Sequence, residues 1–229
     1  MEIISSLHRI PGMRGANAYL LLGDSLTLVD TGMPGSDDTI LAYIDSLGLD
    51  AGSLDRIVIT HHHLDHVGSL AALKQRTSAQ VLAYPDDAPY ISGEQTPPPP
   101  QSPVMRFLFW LMAPLMPSAE PVAVDLAAQN NDQLDLLGGA TVVHVPGHSP
   151  GAIALHFPSE GVLICGDAID YRRGRLGPPP KGFTMDMNQA IASIRRMAEL
   201  EFDILCPGHG TPLVGGADEQ VRAMMRGLG

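Results

Sequence analysis

The amino-acid sequence predicts an α/β (α+β) protein in which two β-sheets pack face to face with helices on the outside. Short apolar runs of strand length cluster in the chain, and amphipathic helices return twice, once in each half. Of the 229 residues, 45% are hydrophobic and 17% are charged, which is typical of a globular protein. Because sheets and helices must bury their apolar faces, this layered arrangement satisfies the order of elements. We predict one domain over residues 1–229.

The first half of the chain combines apolar strand-like runs with two helices. Gly23-Asp24 is typical of a hairpin turn between two of the runs. Ser36 is a suitable N-cap for a helix that runs to about Leu47 and stops at Gly48. A second helix is predicted from about Gly68 to Gln75. The predicted strands are Ile3–His8, Ala18–Leu22, Leu26–Val29, Arg56–Thr60 and Gln80–Ala83.

The composition changes between residues 85 and 121. The run Pro97-Pro98-Pro99-Pro100 cannot form regular helix or a central strand, because proline lacks a backbone N–H. The apolar stretch over residues 104–117 follows, and it is too short to span a bilayer. We predict an insertion around residues 85–121. Three roles stay open for residues 104–117: a lid over the functional site, a core helix, or the surface of a homodimer.

The strand-rich pattern resumes after the insertion. Asp186, with Gln189 three residues later, predicts the start of a helix that ends near Leu200. A final helix is predicted over Ala217–Met225. The predicted strands are Leu134–Leu137, Thr141–Val145, Ile153–Phe157, Val162–Cys165 and Asp203–Cys206.

Charge and cysteine content restrict the partners and the compartment. The formal charge of −11 disfavours nucleic acid and a polybasic membrane anchor, since both need clustered Lys and Arg. No basic region followed by an apolar core marks a signal peptide. Cys165 and Cys206 each end an apolar run without Cys-x-x-Cys spacing, so we predict buried, reduced thiols. We therefore expect a cytoplasmic protein with a small-molecule substrate and no nucleic-acid or membrane partner.

The most informative segment is His61-His62-His63-Leu64-Asp65-His66, which directly follows the apolar run Ile57-Val58-Ile59. Imidazole and carboxylate groups crowded in this way are costly to keep unless a cation lies among them. Neutral imidazole and carboxylate are ligands that suit zinc, iron and related divalent ions. We therefore favour a metal site over a solvated polar turn.

Three further polar residues each follow a glycine at or just beyond an apolar strand. They are His148, Asp167 and His209. Glycine lets the backbone turn sharply and brings the next side chain close to a shared centre. Singly, each is more often a hydrogen-bonded turn residue. Together with the cluster they supply six His and two Asp, which is enough for two metals with a shared oxygen.

Five motifs of the sequence resemble, in order, those of the metallo-β-lactamase superfamily. They are Val29-Asp30-Thr31-Gly32, Thr60-His61-x-His63-x-Asp65-His66, Pro-Gly-His148, Gly-Asp167 and Pro-Gly-His209. The resemblance covers the chain from about residue 17 to about residue 212. It implies a four-layer αββα sandwich with the metals at one edge between the sheets.

The resemblance also implies a role for each motif residue. The implied ligands are His61, His63 and His148 for one metal, Asp65, His66 and His209 for the other, and Asp167 as the bridge. Asp30 would support the site from behind without binding metal, and His62 would point away from the metals. The histidines outside the motifs are expected to be ordinary strand or surface residues: His8, His144 and His156.

This ligand set predicts a hydrolase. Two divalent ions lower the pKa of a shared water, so a metal-bridging hydroxide is available near neutral pH. Asp65 is the candidate catalytic residue, because it would orient that water and accept its proton while also binding metal. Ser149 is assigned a turn role rather than a nucleophilic one. We predict cleavage of a small ester, lactone or thioester, with zinc favoured and iron or manganese as alternatives.

Departures from individual branches of the superfamily narrow this prediction. Diiron redox members usually carry Glu at the position of His63, and class B β-lactamases lack the bridging Asp167, so we disfavour both. Glyoxalase II resembles the ligand set but adds a C-terminal domain, for which the sequence after His209 is expected to be too short. Small quorum-quenching lactonases carry Tyr three residues after the bridging Asp, where this chain has Asp170 and then Tyr171.

A basic cluster shortly after Asp167 bears on the substrate. The candidate substrate-binding residues are Tyr171, Arg172, Arg173, Arg175 and Lys181. Such cations bind a carboxylate or phosphate group. The alternative is a solvated loop at the rim of the site.

Two other functions remain open at the level of sequence. A mononuclear-iron persulfide dioxygenase resembles the same ligand set but uses a single metal. A metal-stabilised binding or regulatory protein would need the ligands without turnover. We rank hydrolysis first because the complete ligand set lies on loops, where reactive groups concentrate.

Overall fold

The first of the two sheets contains the strands up to residue 127. The computed structural model describes residues 1–99, 106–107, 110–111 and 117–227. Within these residues the first sheet has seven strands in sequential order, antiparallel from β1 to β4 and parallel from β4 to β7. They are β1 (Glu2–Ile4), β2 (Leu7–Arg9), β3 (Tyr19–Leu22), β4 (Leu26–Val29), β5 (Leu54–Val58), β6 (Gln80–Ala83) and β7 (Leu126–Ala127).

The second sheet contains strands from residue 133 onwards. In the described part of the chain it has six strands in the order β15-β14-β11-β10-β9-β8, and only β11 and β14 run parallel. They are β8 (Gln133–Leu134), β9 (Ala140–His144), β10 (Ile153–Phe157), β11 (Val162–Gly166), β14 (Ile204–Pro207) and β15 (Leu213–Val214). A separate hairpin pairs β12 (Asp170–Arg172) with β13 (Arg175–Gly177).

Helices cover the outer faces of the sheets. They are α1 (Asp37–Ser46), α2 (Leu64–Val67), α3 (Leu70–Arg76), α4 (Ala88–Ile91), α5 (Met187–Met197) and α6 (Ala217–Gly227), with 3-10 turns at Ala51–Ser53 and Lys181–Phe183. The side chain of Asp186 caps α5 by accepting from the backbone N–H of Asn188 and Gln189, which confirms the predicted start. Ser36 precedes α1 but makes no side-chain cap bond.

Three apolar clusters show the layers. Leu28 of β4 and Ile44 of α1 belong to a cluster between the first sheet and its helices. Val29 and Phe157 belong to one between the two sheets, and Leu163 packs with α5 and α6 in the third. Neighbouring residues of one strand thus serve opposite faces. The predicted αββα sandwich is confirmed.

Several predicted boundaries are wrong in detail. Ile3–His8 is not one strand, because the chain turns between Ile4 and Leu7 and forms β1 and β2. The helix predicted from about Gly68 to Gln75 is observed as α3, and a separate short helix that was not predicted, α2, begins before it at Leu64 within the histidine cluster. Only Leu134 of the predicted strand Leu134–Leu137 lies in a strand, β8, and the chain turns at Leu137, which has a left-handed backbone at φ +47°.

The apolar stretch over residues 104–117 lies largely outside the described residues. Phe107, Trp110 and Leu111, which are described, are 60%, 71% and 56% exposed. These three side chains are therefore not part of a core helix, while the lid and the dimer surface remain predictions. No helix in the described ranges has both the length and the apolar character needed to cross a membrane.

Candidate metal centre

Strand ends bring the predicted ligands to one edge of the sandwich. His61 and His63 follow β5, and Asp65 and His66 lie in α2. His148 lies between β9 and β10, and the other two ligands follow β11 and β14. Side-chain donor atoms of these residues fall within 4.8 Å of one another in three overlapping groups. The groups are His61, His63 and His148; His61, His66 and Asp167; and Asp65, His66 and His209.

We call His61, His63 and His148 the three-histidine group. His61 Nε2 lies 3.2 Å from His63 Nδ1, and both rings contact that of His148 edge-on, at centroid distances of 4.8 and 4.6 Å. His61 and His148 are buried. The geometry points three imidazole nitrogens at one small volume.

We call Asp65, His66 and His209 the mixed group. His209 Nε2 lies 3.2 Å from Asp65 Oδ2. Asp167 lies between the two groups. Its Oδ1 is 3.4 Å from His66 Nε2, and its Oδ2 is 3.4 Å from His148 Nε2 and 3.3 Å from His209 Nε2. This carboxylate therefore faces both groups, as a bridging ligand must.

These separations fit bound divalent ions. Two ligand atoms on a tetrahedral zinc lie about 3.3–3.4 Å apart when each is about 2.0–2.1 Å from the ion. Among the described side chains, the buried atoms His66 Nε2, His148 Nε2 and Asp167 Oδ1 have no hydrogen-bond partner. Unpaired buried polar atoms are costly. Metal coordination would satisfy these three atoms.

The protein environment lowers the pKa values of the three-histidine group. Burial is the main cause that lowers the pKa of His61 well below its usual range, and neighbouring histidines add to the effect. Burial likewise lowers the pKa of His63 to about 3 and that of His148 to about 4. All three imidazoles are therefore neutral at pH 7, which is the form that binds a cation.

The mixed group has the opposite electrostatics. Burial opposes protonation of His66, but the charges of Asp30 and Asp167 raise its pKa well above the usual range. Burial also opposes protonation of His209, whose hydrogen bonds to Asp167 and Asp65 raise its pKa to about 9. Burial opposes ionisation of Asp65, yet the hydrogen bond from His209 lowers its pKa to about 2. The metal-free mixed group thus holds protons on two imidazoles at pH 7.

Metal affinity of the two groups is therefore expected to depend differently on pH. Because the pKa values of His66 and His209 are raised, metal must displace their protons at neutral pH. The affinity of the mixed group therefore rises with pH, by about tenfold per unit for each proton displaced. The three-histidine group is already neutral and should show a flat profile from pH 6.5 to 8.5. Zinc titrations with a competing chelator would measure the pH dependence of zinc affinity in two variants. His148→Ala keeps the mixed group, and His209→Ala keeps the three-histidine group. Equal slopes would contradict the assignment.

Asp30 supports the site from behind. Its Oδ1 accepts from the Thr60 N–H at 2.8 Å, and its Oδ2 accepts from Thr60 Oγ1 and contacts His66 Nδ1, both at 2.7 Å. The contact with Nδ1 leaves His66 Nε2 directed at the metal groups. Asp30 adopts a left-handed backbone at φ +61°, which costs energy and is typical of functional sites.

A second buried carboxylate, Asp87, is absent from the predicted site. The ring of His62 turns away from the metal groups, stacks on Tyr90 and lies 3.0 Å from Asp87 Oδ2. Burial opposes ionisation of Asp87, but hydrogen bonds from His62, Ser149 and Gly151 keep its pKa low. Its position in the sequence could have indicated a role at the site. Asp87 follows β6, and β6 ends at the same sheet edge as β4 and β5.

The loop that carries His209 is held by β3 and the residues before it. The Asn17 side chain donates to the backbone carbonyls of Pro207 and Gly210 at 2.9 and 3.0 Å. Tyr19 Oη donates to the Pro207 carbonyl at 2.7 Å. These bonds cross from the first sheet to the second and fix the position of the loop that carries His209.

The predicted substrate-binding residues lie on the hairpin and the 3-10 turn that follow Asp167. Tyr171 of β12 forms a bridge with Gly210, one residue after His209. Arg172 pairs with Asp170 at 2.9 Å, and Arg173 occupies the hairpin turn at φ +55°. The exposed cations of this region are Arg172, Arg173, Arg175 and Lys181. They follow Asp167 in the sequence, and their role in substrate binding remains a prediction.

The remaining histidines and cysteines serve ordinary contacts. Nδ1 of His8 bonds to Tyr43 Oη, and Nε2 of His144 and of His156 to backbone carbonyls. Cys165 and Cys206 are free and buried, as predicted.

Comparison with known proteins identifies the family. The model of the metallo-β-lactamase superfamily matches residues 11–209. The chain belongs to the metallo-β-lactamase superfamily. This is a superfamily of metallo-hydrolases that bind divalent metals, and the His/Asp cluster is the candidate metal site of this chain.

Relatives of the chain include a probable metallo-hydrolase and a hydrolase with a named substrate. A probable metallo-hydrolase of Bacillus subtilis (strain 168), YflN, is 29% identical, covering 83% of this chain and 77% of that protein. A hydroxyacylglutathione hydrolase of Ruegeria pomeroyi is 33% identical over 69% of this chain, which spans 49% of that enzyme. The metallo-β-lactamase family protein TTHA1429 of Thermus thermophilus has the same fold, with a TM-score of 0.75 at 21% identity over 99% of this chain and 80% of its own.

Proposed function

We propose that this protein is a dinuclear metal-dependent hydrolase that cleaves a small ester, lactone or thioester. The arrangement of Asp167 carries the proposal, because its two oxygens face both ligand groups at 3.3–3.4 Å. A site for one metal would not need a second complete group on the far side of that carboxylate. We propose zinc as the first metal to test, with iron or manganese as alternatives. A relative of known structure, TTHA1623, which is 27% identical with a TM-score of 0.69 over 90% of this chain and 93% of its own, has been crystallised in a di-iron-bound form.

Bound divalent ions in such a pair lower the pKa of a shared water and polarise a substrate carbonyl oxygen. The chain itself supplies the proton acceptor. The side chain of Asp65 is 29% exposed and that of His209 is 18% exposed, whereas the side chains of His66 and His148 are buried. Asp65 and His209 of the mixed group are therefore open to solvent, as is part of His63 in the three-histidine group. Asp65 is ionised at neutral pH, and there it can orient a water molecule and take its proton.

Relatives and surface charge favour a thioester with an anionic end. The hydroxyacylglutathione hydrolases that the chain resembles are named for acting on a thioester, and we extend that bond type to this protein as the first to test. Four cations lie on the hairpin and turn that follow Asp167: Arg172, Arg173, Arg175 and Lys181. In a chain of charge −11 they would attract a carboxylate or phosphate on the substrate. We place this reaction in the cytoplasm, on a small molecule.

The test is hydrolysis by protein of known metal content. We expect metal-loaded protein with two ions per chain to cleave at least one of a panel of short esters, lactones and thioesters, and metal-free protein to cleave none. Reversing the charge of the basic rim, with Arg173→Glu and Arg175→Glu, should raise KM for an anionic substrate more than for its neutral counterpart.

Two outcomes would support a different function. A single iron per chain, with oxygen uptake when a persulfide is added, would indicate a persulfide dioxygenase. Full metal occupancy without turnover of any ester, lactone, thioester or phosphodiester would indicate a metal-stabilised binding or regulatory protein.

A further inference from the structure

Asp87 is a buried anion that joins the two loops of the three-histidine group. It immediately precedes α4 and is completely buried. Its Oδ2 accepts from the His62 backbone N–H at 2.8 Å and from Ser149 Oγ at 2.7 Å. Its Oδ1 accepts from the Gly151 N–H at 2.7 Å. Donors from both sheets therefore converge on one carboxylate.

The partners of Asp87 alternate with the predicted ligands along the chain. His62 lies between His61 and His63, and Ser149 directly follows His148. A shift of the Asp87 carboxylate would move the backbone on both sides of the group. The ring contacts of 4.6 and 4.8 Å that close the three-histidine group depend on the distance between these two loops.

The backbone is shaped for this contact. A Cβ at Gly151 would lie 2.5 Å from the Asp87 nitrogen and 2.8 Å from its Cβ, so only glycine allows the loop to approach so closely. On the other side, the ring of His62 stacks on Tyr90 of α4 at a centroid distance of 4.4 Å. Both features hold the carboxylate between the loops.

We propose that Asp87 is a positioning residue for the three-histidine group and sets the metal affinity of that group without touching the metal. Asp30 does the corresponding work at the mixed group, where it contacts His66 directly. The proposal rests on the metal centre of the proposed function but not on its reaction. Metal binding can therefore be tested whether or not a substrate is known.

Asp87→Asn is the informative variant. Asparagine has the same shape, but its amide nitrogen is a donor and must face a donor from Ser149, His62 or Gly151. Such a conflict leaves buried polar groups unsatisfied and pushes the loops apart. Asp86→Asn is the matched control, because the neighbouring Asp86 is exposed.

The experiment measures zinc affinity at pH 7.5, by competition with a chelating dye, in two backgrounds. In His209→Ala, which keeps the three-histidine group, Asp87→Asn should weaken zinc binding by about 10- to 100-fold, the range for loss of a partner that orients a ligand. In His148→Ala, which keeps the mixed group, it should leave zinc affinity unchanged. Asp86→Asn should change neither.

Equal weakening in both backgrounds would show a general structural role and overturn the proposal, and so would unchanged affinity in both. Circular dichroism of the metal-free variants checks that they are folded. If Asp87→Asn does not fold, Ser149→Ala removes one donor only, and it should weaken the three-histidine group alone by a smaller factor. Failure of the substrate panel would leave these affinities, and the inference, unaffected.

Discussion

Replacing Asp167 by Asn is expected to abolish hydrolysis and to leave one metal of the pair weakly bound. Its carboxylate lies within 3.4 Å of imidazole nitrogens from both ligand groups. Asparagine keeps the size of the side chain but is neutral, and its amide nitrogen cannot bind a cation. Turnover should fall by at least about 100- to 1,000-fold, the loss seen when one preorganised electrostatic group is removed.

Metal analysis and kcat/KM on the best substrate of the panel would measure both effects. Asp24→Asn, on the exposed turn between β3 and β4, makes the same chemical change far from the site and should behave as the unmodified protein. The metal-free Asp167→Asn protein should still be folded, because the clusters between the layers do not include this residue. Two tightly bound ions and normal turnover in Asp167→Asn would rule out the bridging role.

Central strands of the sandwich were predictable because they are buried on both faces. Leu26–Val29, Gln80–Ala83 and Ile153–Phe157 are observed with the predicted bounds. Such strands read as mostly apolar runs. The hairpin of β12 and β13 was not predicted, because charged residues interrupt its short strands and the two strands pair with each other outside both sheets.

The site residues also divide into those that the local sequence marks and those that it does not. Its ligands follow glycines or a strand end, so the local sequence signals them, and the structure brings all seven together. Asp87 also follows a strand, but no local motif marks it as a site residue, because its partners lie 25 to 64 positions away and come from loops of different sheets. Only the pairing of the sheets places them together. Residues that orient ligands from a distance are therefore the part of the site that needed three-dimensional information.

Gly208→Ala is expected to disable the metal centre without adding or removing any ligand atom. A Cβ at this position would lie 2.1 Å from Asp167 Oδ1 and 2.9 Å from His66 Cε1, where no atom fits. The backbone cannot yield easily, because the Gly208 N–H donates to the Gly166 carbonyl and its own carbonyl accepts from the Asn17 N–H, both at 2.7 Å. The methyl group must therefore displace the carboxylate of Asp167.

We expect Gly208→Ala to reproduce the metal loss of Asp167→Asn, with the free energy of unfolding lowered by about 1–3 kcal/mol as for other overpacked sites. Gly23→Ala is the matched control, since its added Cβ would meet neighbours no closer than 3.6 Å, at ordinary contact distance. Metal content and chemical denaturation of the two variants would be compared. Normal metal binding in Gly208→Ala would mean that the carboxylate of Asp167 has room to move away. Asp167 could not then be the rigid bridge on which two metals and the proposed hydrolysis depend.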